Sequence, residues 1–250
     1  MTTGHFTAEG DGSPVVLLHG GMSDGTGWVL QVPALVAAGH RVLVPDRRGH
    51  GKTPDTDAPF AYDDMADETV RFLDDEVASP AALVGWSDGG IVALLVSLRR
   101  PDLVRRQVLI GANYHHEGLL DAFDPGDDPD ADDVGLLRAI YQANAVDPEH
   151  WPVFFAKTAA LWRTQPTLTV DDVAEVSVPT LVLAGDDEVV ALAHTVSLYE
   201  AIDPALGQLA IVPGTSHALL LEKPDLVNRL LVDFLAEQQP PTTFLPVRRA

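Results

Sequence analysis

The sequence predicts an α/β fold, in which a mostly parallel central sheet is flanked by helices. Short apolar runs alternate with helical patterns along the chain, as expected for parallel strands joined by crossover helices. The runs are continuously hydrophobic, which is typical of strands buried on both faces. They lie at residues 14–20, 41–46, 81–87, 106–112, 179–185 and 207–214. The length of 250 residues suits one large domain with a substantial core.

Helices are predicted between the strands from the spacing of apolar residues. Residues 62–77 have one apolar face, and three aspartates stand near the start of that segment, where a helix dipole favours negative charge. Further helices are expected at 89–100, 191–202 and 224–238, and the last of them opens at Pro224, a residue favoured in the first helical turn.

One stretch, residues 116–177, interrupts the alternation of strands and helices. It contains no convincing strand, begins with an aspartate-rich segment at 121–133 and continues with large apolar residues. Because an unstructured loop of this length is unusual in a compact domain, a helical insertion is predicted. The core domain then comprises residues 1–115 and 178–239, and a tail follows at 240–250. The aspartates lack the pattern of an EF-hand loop, which indicates a solvated charged surface.

Charge and composition exclude several classes of function. The 37 acidic and 16 basic residues give a net charge of −21, which repels nucleic acids and anionic lipids alike, so neither is expected as a partner. The absence of cysteine excludes a thiolate metal site and a cysteine nucleophile. No leader-like amino terminus and no apolar segment of about 20 residues is present, which predicts a cytoplasmic protein. No metal and no cofactor are predicted.

The strongest chemical signal is VGWSDGG at residues 84–90, between a buried strand and a helical run. Gly85 and Gly89 allow a strained strand-to-helix turn that would lift the Ser87 hydroxyl above the sheet, at the positive end of the next helix. A GxSxG match alone is common, but in this position it predicts a nucleophile elbow. The alternative is that Ser87 only caps the helix.

A serine nucleophile needs a base, and the base needs an acid that orients it. His217 follows the last predicted strand, so it is expected at the same carboxyl edge of the sheet as Ser87. The contexts of four other histidines are less suitable: His5, His40, His150 and His194. Three candidate acids follow the strand at 179–185: Asp186, Asp187 and Glu188.

The chain resembles the α/β-hydrolase superfamily over nearly its whole length, through the motifs HGGMSDG at 19–25, DRRGHGKT at 46–53 and VGWSDGG at 84–90. The resemblance implies the α/β-hydrolase fold, with residues 116–177 as a helical cap. It favours Glu188 as the acid, with Asp187 next and Asp186 last. It also implies an oxyanion hole formed by the backbone N–H groups of Gly21, or Met22, and of Asp88. By the same resemblance, His19 is structural and DRRGHGKT is an architectural turn.

The aromatic residues of the predicted cap are candidates for an apolar pocket wall. They are Trp151, Phe154, Phe155 and Trp162, and Trp86 beside the nucleophile is a further candidate. The alternative for the cap residues is that they form the cap's own core.

The function implied by the resemblance is hydrolysis of a carboxylic ester or lactone of a small molecule through an acyl-enzyme. Alternatives with the same layout are a cofactor-free perhydrolase, a carbon–carbon bond hydrolase and a non-catalytic ligand-binding member of the fold. The elbow GWSDGG also resembles that of hydrolases acting on amino-acid esters, in which Asp88 would pair with a substrate ammonium. The sequence does not indicate whether the protein is a monomer or an oligomer.

Overall fold

Seven strands form one sheet in a computed structural model that describes residues 4–236, 243–245 and 247. The strands are β1 (Phe6–Glu9), β2 (Ser13–Leu18), β3 (His40–Pro45), β4 (Ala81–Trp86), β5 (Val104–Ile110), β6 (Thr180–Asp187) and β7 (Gly207–Ser216). Their order across the sheet is β1-β3-β2-β4-β5-β6-β7. Only the β1–β3 pair is antiparallel among these neighbours. The predicted mostly parallel sheet is therefore confirmed, and the strand missed by the sequence analysis is β1, a short and mostly exposed edge strand.

Nine α-helices lie in the described part of the chain. They are α1 (Val32–Ala37), α2 (Tyr62–Phe72), α3 (Asp88–Arg99), α4 (Gly135–Asn144), α5 (Trp151–Thr164), α6 (Val170–Ala174), α7 (Leu192–Ala201), α8 (Leu219–Glu222) and α9 (Pro224–Ala236). The helix predicted at 62–77 is present as α2, which is followed directly by a π-helical turn, Leu73–Val77. None of these helices is long and apolar enough to span a bilayer. The tail predicted at 240–250 lies outside the described residues except for 243–245 and 247.

The sheet separates two hydrophobic layers because successive side chains of a strand point to opposite faces. In β2, Val16 and Leu18 belong to the layer that contains α2 and α3, whereas Val15 and Leu17 belong to the layer that contains α9. All four side chains are fully buried. This two-sided burial accounts for the uninterrupted apolar runs from which the strands were predicted.

The segment between β5 and β6 contains α4, α5 and α6 and no strand of the sheet. We call residues 116–177 the cap segment. Leu168 of this segment donates its N–H to the carbonyl of Tyr114, in the chain that follows β5, at 3.0 Å. A buried carboxylate, Asp55, binds Lys157 of the cap segment at 2.7 Å and Arg48 at 3.2 Å. The segment is therefore attached to the sheet domain by both backbone and ionic contacts.

Parallel strands end at one common edge, and this edge collects the residues that the sequence singled out. Ser87 follows β4, Gly111 follows β5, Glu188 follows β6 and His217 follows β7. The loop that begins at His19 follows β2 and reaches the same edge. This is where ligands bind in open α/β sheets.

Candidate active site

Ser87 occupies a strained turn between β4 and α3. Its φ of 55° and ψ of −120° lie in a region that residues other than glycine rarely adopt. The turn is tight, since a methyl group on Gly89 would lie 2.0 Å from the Leu18 carbonyl oxygen. Ser87 N–H donates to the Ile110 carbonyl at 2.7 Å, which ties the turn to β5. The Ser87 hydroxyl is partly exposed and forms no hydrogen bond within the described residues.

His217 is hydrogen-bonded to Glu188, the third of the three candidate acids. His217 Nδ1 bonds Glu188 Oε1, which also accepts the Val189 N–H at 2.9 Å. The Glu188 side chain is only 2% exposed. With the proton on Nδ1, Nε2 of His217 is left as an acceptor. Asp187 is exposed, and Asp186 accepts the Thr215 N–H at 3.1 Å.

Two contacts hold the Glu188–His217 pair beside the serine turn. Trp86, the residue before Ser87, donates its indole N–H to the His217 carbonyl at 2.9 Å. A methyl group on Gly111 would lie 3.0 Å from both Glu188 Oε2 and His217 Cε1. Gly111 follows the residue that accepts the Ser87 N–H, so the pair and the serine flank the same end of β5. Trp86 thus packs against His217.

The loop after β2, residues 19–22, passes close to Ser87 and is held in place by hydrogen bonds of His19 and Arg47. A methyl group on Gly20 would lie 3.3 Å from Ser87 Cβ. His19 is fully buried, donates from Nδ1 to the Gly20 carbonyl at 2.8 Å and accepts the Arg47 N–H at 3.1 Å. Burial lowers the pKa of His19 well below its ordinary value, which keeps the ring neutral. The Arg47 guanidinium donates to the carbonyls of His19 and Gly20, and Met22 closes the loop with a φ of 51°.

Asp88, the first residue of α3, has a buried carboxylate that joins three parts of the structure. It accepts hydrogen bonds from the Tyr62 hydroxyl at 2.9 Å and from the Trp162 indole N–H at 3.0 Å. Burial raises the pKa of the Asp88 carboxyl above its ordinary value, against the opposing effects of nearby Arg47 and of both hydrogen bonds. A methyl group on Gly21 would lie 2.5 Å from Asp88 Oδ2 and 2.6 Å from Trp162 Cζ2. Gly21, Asp88 and Trp162 are therefore in direct contact.

One aromatic side chain of the cap segment, Phe123, lies beside His217. Phe123 lies with its ring centroid 5.1 Å from that of Trp162 and 6.1 Å from that of His217. The chain beside Phe123 is held by Arg163, which binds Asp124 at 2.7 Å. Part of the aspartate-rich segment is thus paired with α5 by an exposed ion pair.

The four predicted pocket aromatics of the cap segment separate into two groups. Trp162 contacts the residues around Ser87, as described above. Trp151 donates to the Pro129 carbonyl at 2.8 Å and packs on Phe155, while Phe154 packs on Phe60. These contacts place Trp151 and Phe155 within the cap segment and Phe154 where the cap segment packs on the sheet domain.

Three residues of the site were not predicted as such: Arg47, Tyr62 and Phe123. Arg47 lies in the turn that the sequence marked only as architectural, and Tyr62 was counted as part of an apolar helix face. Phe123 had a recognisable signal, since it is the only aromatic residue in the aspartate-rich run DAFDPGDDPDADD. Across the described residues, no cluster of three histidine, aspartate or glutamate side chains could hold a metal ion.

Known proteins resemble this chain over nearly its whole length. A family model described as the alpha/beta hydrolase family matches residues 15–230. The protein named "Putative carbamate hydrolase RutD" from Variovorax paradoxus is 31% identical, over 95% of this chain and 97% of that protein. The 2-hydroxymuconate semialdehyde hydrolase of Pseudomonas sp. strain CF600 is 30% identical, over 92% of this chain and 89% of the relative.

A solved structure shares the same architecture. It is the meta-cleavage product hydrolase CumD from Pseudomonas fluorescens IP01, which is 26% identical and has a TM-score of 0.76, over 92% of this chain and 93% of that chain. The serine turn at the sheet edge and the match over residues 15–230 lead to one conclusion: this chain belongs to the alpha/beta hydrolase family, and it is a hydrolase.

Proposed function

We propose that this chain hydrolyses a carboxylic ester or lactone of a small molecule through an acyl-enzyme. Ser87 is the nucleophile, His217 the general base and Glu188 the acid of the triad. The observation that carries the proposal is the hydrogen bond from His217 Nδ1 to the buried carboxylate of Glu188, held beside the strained turn of Ser87. A buried carboxylate in this position is suited to stabilise an imidazolium.

In the first step, Ser87 Oγ attacks the carbonyl carbon of the substrate while His217 Nε2 takes the hydroxyl proton. The Ser87 hydroxyl forms no hydrogen bond in the described part of the chain, so rotation about its χ1 angle breaks no hydrogen bond. Glu188 holds the proton on Nδ1, which keeps Nε2 free to accept. The carboxylate then stabilises the positive charge that develops on the ring.

The tetrahedral intermediate carries a negative oxygen that needs hydrogen-bond donors. The backbone N–H groups of Gly21 and Asp88 are the proposed donors, with Met22 next along the same loop. Gly20 lies against Ser87 Cβ, so the loop is adjacent to the nucleophile. Asp88 opens α3, and the positive end of this helix dipole favours the developing charge.

The intermediate collapses when the protonated His217 gives its proton to the leaving alkoxide oxygen. This breaks the ester bond and leaves the acyl group on Ser87. A water molecule then attacks the acyl carbonyl while His217 takes one of its protons. The second collapse returns that proton to Ser87 Oγ and releases the carboxylic acid.

Cleavage of a carbon–carbon bond is the second candidate reaction. It is favoured by the relative at 30% identity that is named 2-hydroxymuconate semialdehyde hydrolase and by the meta-cleavage product hydrolase structure at 26% identity. The same serine and histidine would serve that reaction, with a carbon leaving group in place of the alkoxide. The relative named for carbamate hydrolysis adds carbamates to the substrates worth testing.

The test is a substrate panel of p-nitrophenyl esters, lactones, a carbamate and a meta-cleavage product, assayed with three proteins. Ser87→Ala is expected to lower kcat by about 10³-fold or more, whereas Ser79→Ala, at an exposed serine, should retain full activity. A fluorophosphonate should label the native protein once, at the peptide that contains Ser87. Hydrolysis that persists in Ser87→Ala, or a label on another peptide, would contradict the proposal. Turnover of the meta-cleavage product alone would select the second candidate.

A further inference from the structure

We propose that Asp88 is a positioning residue. Its side chain links the position of the cap segment to the geometry of the oxyanion hole. Its backbone N–H is one of the proposed oxyanion donors, and its carboxylate binds Trp162 of the cap segment. The inference rests on the proposed function, which assigns the donor role. It assigns to the side chain of Asp88 a task separate from that of its N–H group.

The contact between cap and oxyanion hole involves both proposed donor residues. Trp162 donates to Asp88 Oδ1 at 3.0 Å, and its ring also lies against Gly21. No space separates the three groups, because a methyl group on Gly21 would lie within 2.6 Å of Asp88 Oδ2 and of the Trp162 ring. Any displacement of Trp162 therefore changes the surroundings of both donors at once.

The Asp88 carboxylate is also fixed from the side of the sheet domain. Tyr62, at the start of α2, donates its hydroxyl to Asp88 Oδ1 at 2.9 Å. Asp88 is 3% exposed, and a buried carboxylate is tolerated only where donors and charges compensate for lost water. Tyr62, Trp162 and the nearby cation Arg47 supply that compensation. Moving Trp162 away would remove one of the few donors available to this carboxylate.

This geometry argues against Asp88 as the partner of a substrate ammonium group. Asp88 Oδ1 already accepts two hydrogen bonds, and Oδ2 faces Gly21 and Trp162. A substrate cation would have to displace the Trp162 indole to reach either oxygen. The two roles make opposite predictions for Asp88→Asn, because asparagine retains an acceptor oxygen for Tyr62 and Trp162 but has no charge.

The coupling predicts a loss in kcat rather than in substrate binding, because the oxyanion forms only in the transition state. Trp162→Phe keeps an aromatic ring in place but removes the N–H donor and the part of the indole that lies against Gly21. It is expected to lower kcat by about 10- to 100-fold, the effect of losing one hydrogen bond to a charged group, with KM changed less than about threefold. Trp151→Phe is the matched control, since the Trp151 N–H bonds within the cap segment, and it should retain kcat.

The experiment measures kcat and KM on p-nitrophenyl butyrate and on a p-nitrophenyl aminoacyl ester for Trp162→Phe, Trp151→Phe, Asp88→Asn, Asp88→Val and the double variant Trp162→Phe/Asp88→Val. Asp88→Asn should change kcat by the same factor on both esters, because it keeps an oxygen that accepts from Trp162 and contacts no substrate. Asp88→Val should lose at least as much kcat as Trp162→Phe, and the double variant should lose no more than Asp88→Val, because both changes remove one contact.

A second readout does not depend on activity. The indole N–H resonance of Trp162, assigned by its absence in Trp162→Phe, should exchange slowly with solvent in the native protein and in Asp88→Asn, and rapidly in Asp88→Val. Equal kcat in Trp162→Phe and Trp151→Phe overturns the coupling, as does slow exchange in a folded Asp88→Val. A loss confined to aminoacyl esters in Asp88→Asn shows that Asp88 binds substrate instead. If Ser87→Ala retains hydrolysis, the proposed function fails, while the exchange measurement still tests the contact.

Discussion

Replacing Glu188 by glutamine isolates the charge of the proposed triad acid. In the structure, Glu188 Oε1 accepts hydrogen bonds from His217 Nδ1 and from the Val189 N–H. Two donors at this position favour the amide oxygen of glutamine over its NH₂ group. We therefore expect Glu188→Gln to keep the His217 tautomer and to lose only the negative charge that stabilises the imidazolium.

The size of the loss follows from this geometry. An amide that forces the wrong tautomer costs a triad about 10⁴-fold in kcat. Because the tautomer is retained here, we expect a smaller loss for Glu188→Gln, about 10²- to 10³-fold, which corresponds to about 3–4 kcal/mol of transition-state stabilisation. Glu188→Ala removes the acceptor itself and should approach about 10⁴-fold. The shorter Glu188→Asp moves the carboxylate by about 1 Å and should lose about 10²-fold.

The assay is the kcat for p-nitrophenyl butyrate at pH 7.5, about neutral so that ordinary carboxylates are ionised. Thermal unfolding of each variant shows whether the fold persists. Asp187→Asn is the matched control, since it removes the same charge from the neighbouring, exposed residue, and its kcat should stay within about twofold of native. Equal kcat for Glu188→Gln and Asp187→Asn, or a large loss in Asp187→Asn alone, would refute the assignment of the acid.

Three further predictions concern stability. Gly89→Ala should lower the free energy of unfolding by at least about 3 kcal/mol, because its methyl group would lie 2.0 Å from a carbonyl oxygen of β2. Gly135 has open space around it, so Gly135→Ala should leave the stability unchanged or raise it slightly. Asp55→Ala should cost about 3 kcal/mol, because it removes the buried carboxylate that binds Lys157 and Arg48, whereas the exposed Asp233→Ala should cost less than about 1 kcal/mol. Burial lowers the pKa of His50 to about 3, so stability should fall as the pH drops from about 6.5 towards that value, because only the unfolded chain takes up the proton.

Urea unfolding measures all three effects. For the pH dependence, His50→Phe should flatten the slope of stability against pH by about one proton between pH 6.5 and 3. An unchanged slope would show that His50 titrates normally. Equal stability of Gly89→Ala and Gly135→Ala would mean that the serine turn can relax away from β2, and equal effects at Asp55 and Asp233 would mean that the buried carboxylate is hydrated.

Local sequence patterns were sufficient to predict the sheet and the serine turn. The strands inside the sheet are apolar runs because both faces of the sheet are covered, whereas the predicted strand β7 lies at an edge and is largely only partly buried. The turn at Ser87 depends on glycines two residues to either side, so its signal is confined to a few positions. His217 was located by a rule of topology, since the ends of parallel strands meet at one edge of the sheet. The sheet and the serine turn thus needed only neighbours in sequence, whereas His217 also needed the predicted order of strands and helices.

The resemblance ranked the three consecutive acids, but only the tertiary structure shows that Glu188 is hydrogen-bonded to His217. It also brings distant residues to Asp88. The pairing of β6 with β7 is irregular between Gly185 and Asp187, and beyond it Asp187 is exposed while the Glu188 side chain is buried against His217. The contacts of Asp88 with Tyr62 and Trp162 join residues 26 and 74 positions away. Apolar periodicity reports whether a side chain is buried, but the direction of a polar side chain depends on which donors the rest of the fold places within its reach.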